Sequence, residues 1–506
     1  MDAALRRLQA AVWTQVCDQL DGIAGATAIA ALSRHGVFDR LARGPLPRDV
    51  LLDAVGGNRG FVAVALKGLA LRGLVSFAAP FDGEAELGLT AEGRQWAAGL
   101  ARYAAAPALV AAAGRLLRGE GGAPPDASGD FAGFVAGPAL LRLHDDETLR
   151  RFAPEPLPVD LEAAGVAAAA ACLDALGWLE RTPVPRLTPA GRLAVLMAPQ
   201  YRYPLSYLPL LAGVETLLFG DPVALRDRRE DEAESHVDRA ADIRFSGEVF
   251  VRSSAPAFFG LVLARFDALP PESQPAAIVD MGCGDGTLLI ETWRAITGRT
   301  ARGGVLDRFP LTMIGVEYSP EARAIAERRL AEAGIPHRTL PGDIGDPGRL
   351  ARDLGSLGVD PLDVLHVSKS VIHNRSFTPP RSAHPLPGAV AAGPFATSDG
   401  ALVEGSDLWR NLVDWFALWK PWIGRHGMIA IEAHTVSPEI AVACRGRSMA
   451  AQLDLLHGLS CQYLIPVDLH LAAATAAGLV VAESVRTGEA TLGHDYASFT
   501  RFTVPA

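Results

Sequence analysis

The chain has 506 residues, of which 49% are hydrophobic and 21% are charged. At roughly 100–200 residues per domain, this length excludes a single small binding module and predicts two to four globular domains. The 47 basic and 57 acidic residues give a net charge of −10, which disfavours an extended surface for nucleic acid or anionic lipid.

Cysteine usage and apolar runs indicate the compartment. The five cysteines are scattered and odd in number, which is typical of a protein without a disulfide framework. The first residues contain no apolar leader, and no run reaches the about 20 apolar residues that cross a bilayer. We therefore expect a cytoplasmic protein with no membrane partner and no nucleic-acid partner.

The first two hundred residues contain a repeated pattern. Helical apolar spacing over residues 25–35 and 59–71 is followed by two short alternating segments within residues 73–90. This order predicts a winged-helix-like unit. The sequence Leu-Thr-x-x-Gly-Arg at 89–94 recurs at 187–192, so a second unit of the same kind is expected.

The domain division follows from this repeat and from a Gly/Pro-rich segment at 119–129. The predicted ranges are a helical, winged-helix-like scaffold (1–118), a linker with the second winged-helix-like unit (119–200), a lid or connector (201–255) and an α/β domain (256–506). A winged helix also suggests DNA binding, but the predicted recognition helix carries only Arg59, Lys67 and Arg72. These are too few cations for a phosphate footprint, so a scaffold or dimerisation layer is favoured.

The fold class of the C-terminal half follows from apolar runs that alternate with helical segments. The apolar runs are residues 276–280, 311–317, 363–367 and 427–432. The chain is therefore predicted to be an α/β protein, with a Rossmann-like parallel sheet behind an α-rich N-terminal scaffold and helical lid.

A glycine-rich turn follows the first of these runs, in the sequence Asp280-Met-Gly282-Cys-Gly284-Asp-Gly286-Thr287. Glycines at this spacing allow a tight turn and a close approach of the backbone to a ligand at a helix N-terminus. A dinucleotide fingerprint needs a third glycine where this chain has Thr287, so NAD is disfavoured.

Acidic residues end the neighbouring strands as well. Glu317 ends the second strand, and Asp343, next to Ile344, follows the third. Because the carboxyl ends of parallel strands open into one crevice, these carboxylates are placed to accept the ribose hydroxyls and the adenine amine of a nucleoside. Together with Asp280 and the glycines, they predict a binding site for S-adenosylmethionine (SAM).

At this point the sequence resembles a known family. Over residues 256–506 it is similar to the class I SAM-dependent methyltransferases, and more specifically to the metal-dependent C-methyltransferase domains of apratoxin-type and saxitoxin-type polyketide synthase loading modules. The segments that carry the resemblance are His236-Val-Asp-Arg239, Val367-Ser-Lys-Ser-Val-Ile-His373-Asn-Arg375, Glu432-Ala-His434-Thr435 and His457-Gly-Leu-Ser-Cys-Gln462-Tyr463.

The resemblance implies SAM and iron(II/III) or manganese(II) as cofactors. It implies His434 and Gln462 as the metal ligands, with His434 therefore in the catalytic centre, and Ser368 as a further cofactor contact. The acceptor is expected to be the α-carbon of a malonyl-type thioester or a related dicarbonyl in polyketide or other natural-product biosynthesis. It is a small molecule or is bound to an acyl carrier protein, and the enzyme is a monomer or a homodimer.

Two observations on residue positions, made without the resemblance, bear on the metal site. His434 follows the strand at 427–432, so we expect it at the carboxyl edge of the sheet, where ligands bind. His457 and Asp454 are near enough to Gln462 to act as a third ligand or to support the ligands.

The acceptor side is predicted from the segment after the third apolar run. His373 is interpreted as the general base that removes the α-proton, or else as a structural or substrate-anchoring histidine. Lys369 or Arg375 pairs with a carboxylate or a phosphopantetheine group, or is a surface cation.

Two other functions stay open at this stage. One is a metal-independent O- or N-methyltransferase of a small-molecule natural product, with a histidine base. The other is a DNA-binding regulator that uses the methyltransferase fold as a sensor.

Overall fold

The computed structural model describes residues 3–77, 84–120, 122, 124–125, 127–151, 155–225, 235–388, 393–488 and 493–505. Parts of the Gly/Pro-rich segment at 119–129 and of the predicted lid or connector at 201–255 lie outside these residues.

The N-terminal half is mostly helical, as predicted. Its helices are α1 (Ala3–Arg34), α2 (Val37–Arg43), α3 (Arg48–Val55), α4 (Arg59–Leu71), α5 (Ala91–Ala97), α6 (Ala106–Arg118), α7 (Gly133–Asp145), α8 (Ala170–Ala175), α9 (Pro189–Met197), α10 (Arg202–Ser206), α11 (Leu208–Ala212) and α12 (Val214–Phe219). The helix predicted at 25–35 is the end of the 32-residue α1, whose Val12, Val16 and Leu20 are already buried. Helix α4 has the predicted bounds.

Two three-stranded antiparallel sheets accompany these helices. The first contains β1 (Leu46–Pro47), β2 (Val75–Phe77) and β3 (Glu86–Leu89), and the second contains β4 (Leu157–Pro158), β5 (Leu179–Glu180) and β6 (Arg186–Leu187). Their strand orders, β1-β3-β2 and β4-β6-β5, are the same. The identification of these units as winged helices stays a prediction.

The repeated Leu-Thr-x-x-Gly-Arg sequence makes the same contacts in both units. Thr90 caps α5 and Thr188 caps α9, and each hydroxyl accepts a hydrogen bond from the glycine three residues later, at 2.8 and 3.0 Å. A Cβ atom on Gly93 would lie 1.9 Å from the carbonyl oxygen of Leu74, and one on Gly191 would lie 1.9 Å from that of Trp178. The repeat therefore keeps threonine for the cap and glycine for close contact with the backbone just before β2 in one unit and β5 in the other.

The C-terminal half alternates helices and strands. Its helices are α13 (Arg239–Val249), α14 (Ala255–Asp267), α15 (Thr287–Arg299), α16 (Pro320–Glu332), α17 (Pro347–Ser356), α18 (Gly405–Trp419), α19 (Pro438–Ala443), α20 (Ala450–Leu459) and α21 (Val467–Ala476). Its strands are β7 (Ala277–Met281), β8 (Thr312–Glu317), β9 (His337–Pro341), β10 (Val364–Lys369), β11 (Phe395–Ala396), β12 (Leu402–Val403), β13 (Met428–Ala433), β14 (Val480–Thr487) and β15 (Ala497–Thr503).

Seven of these strands form one sheet in the order β14-β15-β13-β10-β7-β8-β9. Strand β15 runs antiparallel to both of its neighbours, and the other pairings are parallel. This confirms the predicted Rossmann-like α/β fold. Chain order reverses between β7 and β10, and in open α/β sheets ligands bind outside the carboxyl ends of the strands at such a point.

Helices α13 and α14 join through a π-helical turn at Phe250–Ser254 into one helix, Arg239–Asp267, so the predicted boundary at 255/256 falls inside it. By length and composition alone this helix could cross a membrane, as could the bent pair Ala91–Ala97 and Leu100–Arg118 if it were a single span. Its Phe250, Phe258 and Val262 are buried in one cluster with side chains of the seven-stranded sheet. The α14 part is therefore packed as a core helix, whereas α13 has no buried residue. The four predicted domain ranges stay predictions.

The two halves share a hydrophobic core. One cluster of buried side chains runs from Val12 to Val237 and includes Leu455, Leu456 and Leu459 of α20. Helix α20 therefore belongs by sequence to the C-terminal half but packs into the N-terminal one.

Candidate active site

A cavity of about 620 Å³ lies at the carboxyl ends of β7, β8 and β10, against α13. The predicted site residues that line it are Asp280, Gly282, Gly284, Glu317, Asp343, Ile344 and Gln462. Four predicted site residues, Gly286, Ser368, His373 and His434, are not part of its wall.

The glycine turn forms one end of the cavity. Gly282, Gly284 and Gly286 have φ angles of 72°, 54° and 78°, in the left-handed region that glycine adopts most easily. A Cβ atom on Gly282 would lie 2.4 Å from the side chain of Val371. Gly286 immediately precedes the first residue of α15. Its backbone conformation sets the direction in which the helix begins, and this role does not require Gly286 to line the cavity.

The acids at the next two strand ends are held by backbone groups. Glu317 accepts hydrogen bonds from the backbone amides of Gly284 and Ser319, each at 3.0 Å. Asp343 accepts one from Gly345 at 2.7 Å. Both carboxylates are therefore fixed at the cavity wall, and their contacts to the ribose and adenine stay predictions.

The backbone beside Asp343 is held by two tryptophans of α18. The carbonyl oxygen of Ile344 accepts hydrogen bonds from Trp415 Nε1 at 3.2 Å and from Trp419 Nε1 at 2.8 Å. Ile344 thus lines the cavity at a fixed position.

Asp280 is almost completely buried, and its Oδ1 atom has no hydrogen-bond partner among the described residues. Burial raises the pKa of Asp280 to about 8; nearby Lys369 opposes this rise, and Glu317 and Asp285 add to it. A carboxyl group with an open oxygen at a cavity wall suits a cationic ligand group, such as the ammonium or sulfonium of SAM.

A buried acid–base pair lies behind the acceptor end of the cavity. His373 Nδ1 donates a hydrogen bond to Glu432 Oε2 at 2.6 Å, and Glu432 Oε1 accepts from the backbone amides of Val371 and Ile372. Burial by itself would raise the pKa of Glu432, but the charge and hydrogen bond of His373 outweigh it and hold the value at about 2. The role of Glu432 was missed in the sequence, where the only signal is an acid near the end of a buried strand.

His434 lies at the carboxyl edge of the sheet, as expected, but not at the cavity. Its Nδ1 donates to the carbonyl oxygen of Ile465 at 3.0 Å, and its Nε2 accepts from Ser498 Oγ at 2.8 Å. Burial lowers the pKa of His434 to about 4, so the ring is neutral and both nitrogens are engaged. His434 therefore does not fit the metal-ligand role, and the structure does not bring it to the cavity that Gln462 lines.

The histidine in contact with Gln462 is His457, on α20, which like His434 is not part of the cavity wall. The backbone amide of Gln462 donates to the carbonyl oxygen of His457 at 2.7 Å, and its side-chain Nε2 donates to the Tyr207 hydroxyl at 2.9 Å. The Nδ1 atom of His457 lies 2.6 Å from the carbonyl oxygen of Leu453 and 2.7 Å from the Tyr203 hydroxyl, so it carries the proton.

His457 is suited to donate a lone pair. Burial, together with the charge of nearby His373, lowers the pKa of His457 to about 3, so the ring is neutral. A hydrogen bond from Nδ1 to a backbone carbonyl is the usual support of a histidine that binds metal through Nε2. Across the described residues no group of three or more His, Cys, Asp or Glu side chains is placed to hold a metal ion.

Contacts from the N-terminal half hold α20 in place. Asp454, one turn before His457, accepts a hydrogen bond from Lys67 Nζ of α4 at 2.9 Å and another from the Thr435 hydroxyl. Both members of the Lys67–Asp454 ion pair are buried. Because these contacts hold α20 against the rest of the protein, Asp454 does not fit the role of a third metal ligand.

Two residues in the cavity wall have an uncommon backbone conformation. Ser370 and Cys461 have φ angles of 56° and 54°, and they directly precede Val371 and Gln462 in the wall. Non-glycine residues in this region are uncommon, cost free energy and cluster at functional sites. This supports a functional role for the wall formed by these two segments.

The fold and the cavity define a class I SAM-dependent methyltransferase. The model of the AprA MT2-like domain family matches residues 234–492, just over half of the chain. The chain belongs to this family of methyltransferases. A search of curated protein sequences found no match to it.

Three solved structures that match this chain are distant in sequence. An O-methyltransferase family 2 protein from Planctomyces limnophilus DSM 3776, in complex with apigenin, is 12% identical with a TM-score of 0.42, over 96% of this chain and 95% of that one. The DszA carbon methyltransferase is 12% identical with a TM-score of 0.34, over 73% and 88%. The CurJ carbon methyltransferase is 15% identical with a TM-score of 0.35, over 72% and 92%.

Proposed function

We propose that the enzyme methylates the α-carbon of a malonyl-type thioester or a related dicarbonyl in natural-product biosynthesis. The observation that carries this proposal is the grouping of a proton acceptor, His373, with two neutral side chains of the kind that bind metals, His457 and Gln462, of which Gln462 lines the cavity and the two histidines lie behind its wall. The rings of His373 and His457 lie 5.1 Å apart, and Gln462, whose backbone is bonded to His457, lines the cavity.

In this proposal, His373 is the base. Glu432 is ionised and keeps the proton of the imidazole on Nδ1, so Nε2 is left to accept the α-proton of the acceptor. The enolate carbon then attacks the methyl group of SAM, the C–S bond breaks, and S-adenosylhomocysteine leaves. The imidazolium formed is stabilised by Glu432 until its proton passes to solvent.

The metal that the family resemblance implies would be held by His457 and Gln462 rather than by His434. An iron or manganese ion there supplies Lewis-acid chemistry, which makes the α-carbon of a chelating dicarbonyl more acidic. Helix α13 lines one side of the cavity and helps to exclude water, which favours reaction with SAM over side reactions. The acceptor is presented either as a free small molecule or on an acyl carrier protein.

A second candidate is metal-independent O- or N-methylation of a small molecule. It is favoured by the completeness of the His373–Glu432 pair, since a base oriented by a carboxylate can deprotonate a hydroxyl or ammonium group without a metal.

The atom that receives the methyl group distinguishes C-methylation from O- or N-methylation. The enzyme is incubated with trideuteromethyl-SAM and either malonyl- or acetoacetyl-N-acetylcysteamine, or with catechol and amine acceptors, and the products are analysed by NMR and mass spectrometry. The proposal expects the CD3 group on the α-carbon of a thioester. Label found on oxygen or nitrogen alone would overturn it in favour of the second candidate.

A further inference from the structure

A second cavity, of about 340 Å³, lies between α1, α5, the turn Gly129–Ala132 and the segment after α19 that contains Arg445. Among the described residues, it shares none with the wall of the active-site cavity. Its volume falls at the lower end of the roughly 300–1,000 Å³ that small-molecule sites occupy. Two residues of its wall, Asp18 and Glu92, are exposed, so a ligand can enter beside them.

Acids outnumber cations in the wall of this second cavity. The charged side chains there are Asp18, Asp21, Glu92, Asp130, Arg72 and Arg445. Arg445 pairs with Glu92 at 2.5 Å. Asp130 is paired with Arg72 at 3.4 Å and with Arg102 at 3.0 Å. Across the described part of the chain neither Asp18 nor Asp21 forms an ion pair, so the two carboxylates on α1 lack a cation of their own.

Asp21 is the buried member of these two acids. It is 9% exposed, and its Oδ1 atom has no hydrogen-bond partner within the described ranges. Burial raises the pKa of Asp21 to about 6; Arg72 opposes this rise, and Asp18 adds to it. Most of the group is therefore still ionised at neutral pH. A buried carboxylate without a counter-ion is costly, and proteins normally pair it or use it to bind a ligand.

An alkylammonium group suits these two carboxylates, because it carries a positive charge and three N–H donors. A metal ion does not, since no group of three or more His, Cys, Asp or Glu side chains among the described residues is placed to hold one. Trp96 also lines the cavity, and indole rings attract cations. We propose that the second cavity binds a small organic cation, an alkyl amine or diamine, through Asp18 and Asp21. This site is independent of which atom the enzyme methylates.

Three probes of similar length separate charge from shape. 1,4-Diaminobutane carries two ammonium groups, butane-1,4-diol carries no charge, and 4-aminobutanoate carries one ammonium and one carboxylate. The third probe is needed because Nη1 of Arg72 also has no acceptor among the described residues.

Binding of each probe to the full-length protein is measured by titration calorimetry. The protein is saturated with S-adenosylhomocysteine, so that the SAM site is filled. The buffer contains about 0.15 M salt, which screens the general attraction of cations to an acidic protein. We expect the diamine to bind at one site, and the other two probes to bind about tenfold more weakly or less.

Substitutions then assign the binding to the second cavity. Asp21→Asn keeps the shape of the side chain and removes its charge, so the affinity for the diamine should fall about tenfold or more. Asp18→Asn should also weaken binding, and because Asp18 is exposed, this variant keeps the test decisive if Asp21→Asn does not fold. The control Asp39→Asn changes the net charge by the same amount at an exposed position of α2 outside the wall, and it should bind as the wild type does.

Three results would overturn the proposal. The first is that the wild type does not bind the diamine saturably, or binds butane-1,4-diol equally well, since the cavity then holds water only. The second is that 4-aminobutanoate binds as tightly as the diamine or more tightly, which would indicate a ligand with both charges. The third is a diamine affinity that is unchanged in both Asp21→Asn and Asp18→Asn, or that falls equally in Asp39→Asn.

Discussion

His373 Nδ1 lies 2.6 Å from Glu432 Oε2, and the two side chains are only 5% and 2% exposed. Glu432 also accepts two backbone amides from the turn that contains His373, so the carboxylate fixes both the ring and the segment that carries it. A carboxylate in this position holds one imidazole nitrogen protonated and leaves the other as the base.

The first prediction concerns this pair. Glu432→Gln should lower kcat by about 10²–10⁴-fold, because the amide neither stabilises the imidazolium nor enforces the tautomer. Binding of S-adenosylhomocysteine, measured by calorimetry, should stay at the wild-type value. Glu483→Gln, which changes an acid of the edge strand β14, is the control with unchanged kcat. A wild-type kcat in Glu432→Gln would contradict the assigned role.

The second prediction concerns the metal. Elemental analysis of protein purified without chelator should find about one equivalent of iron or manganese, lost in His457→Ala and in Gln462→Ala. His434→Ala should retain the metal and instead lower the free energy of unfolding by about 1–3 kcal/mol, because Ile465 and Ser498 lose their buried partner. Metal lost only in His434→Ala would reverse the assignment.

The strands, the glycine turn and the acids at the strand ends are the features that could be predicted from the sequence. The parallel strands and the glycine turn were predictable because apolar runs, strand ends and glycine spacing are local signals. Asp280, Glu317 and Asp343 reach one cavity because carboxyl ends of parallel strands meet at one edge, which needs no knowledge of other contacts.

The sequence alone does not show whether His434 or His457 is the better candidate for the metal ligand. His434 sits where the strand pattern placed it, but its ring is engaged by residues 31 and 64 positions further along the chain. His457 reaches the site because α20 packs into the N-terminal core and is tied there by Lys67. Such contacts between distant segments leave no local pattern in a single sequence.

The third prediction concerns Asp280 and pH. Its pKa is about 8 in the folded protein against 3.8 as the ordinary value, so between these pH values the folded state binds more protons than the unfolded state. The stability of the ligand-free protein is therefore reduced as pH rises through this window. Asp280→Asn lacks this ionisation and should melt a few degrees above the wild type at about pH 8, with no difference near pH 4.

The same variant should lose most of the thermal stabilisation that SAM gives the wild type, because ionised Asp280 attracts the cationic groups of the ligand. Melting curves at both pH values, with and without SAM, check both effects. The exposed Asp307→Asn serves as the control. A variant that melts below the wild type at pH 8 would show that Asp280 is ionised and paired in the folded protein.

The fourth prediction tests the internal repeat. Gly93 and Gly191 lie so close to the carbonyl oxygens of Leu74 and Trp178 that an added methyl group displaces the backbone just before β2 or β5. Each Gly→Ala substitution should therefore lower the free energy of unfolding by about 1–3 kcal/mol in urea titrations. Gly99→Ala is the matched control, since its Cβ would meet its nearest neighbour at 3.5 Å and its φ of −99° suits alanine. If Gly191→Ala behaves like Gly99→Ala while Gly93→Ala does not, the two copies share a sequence but not a structural requirement.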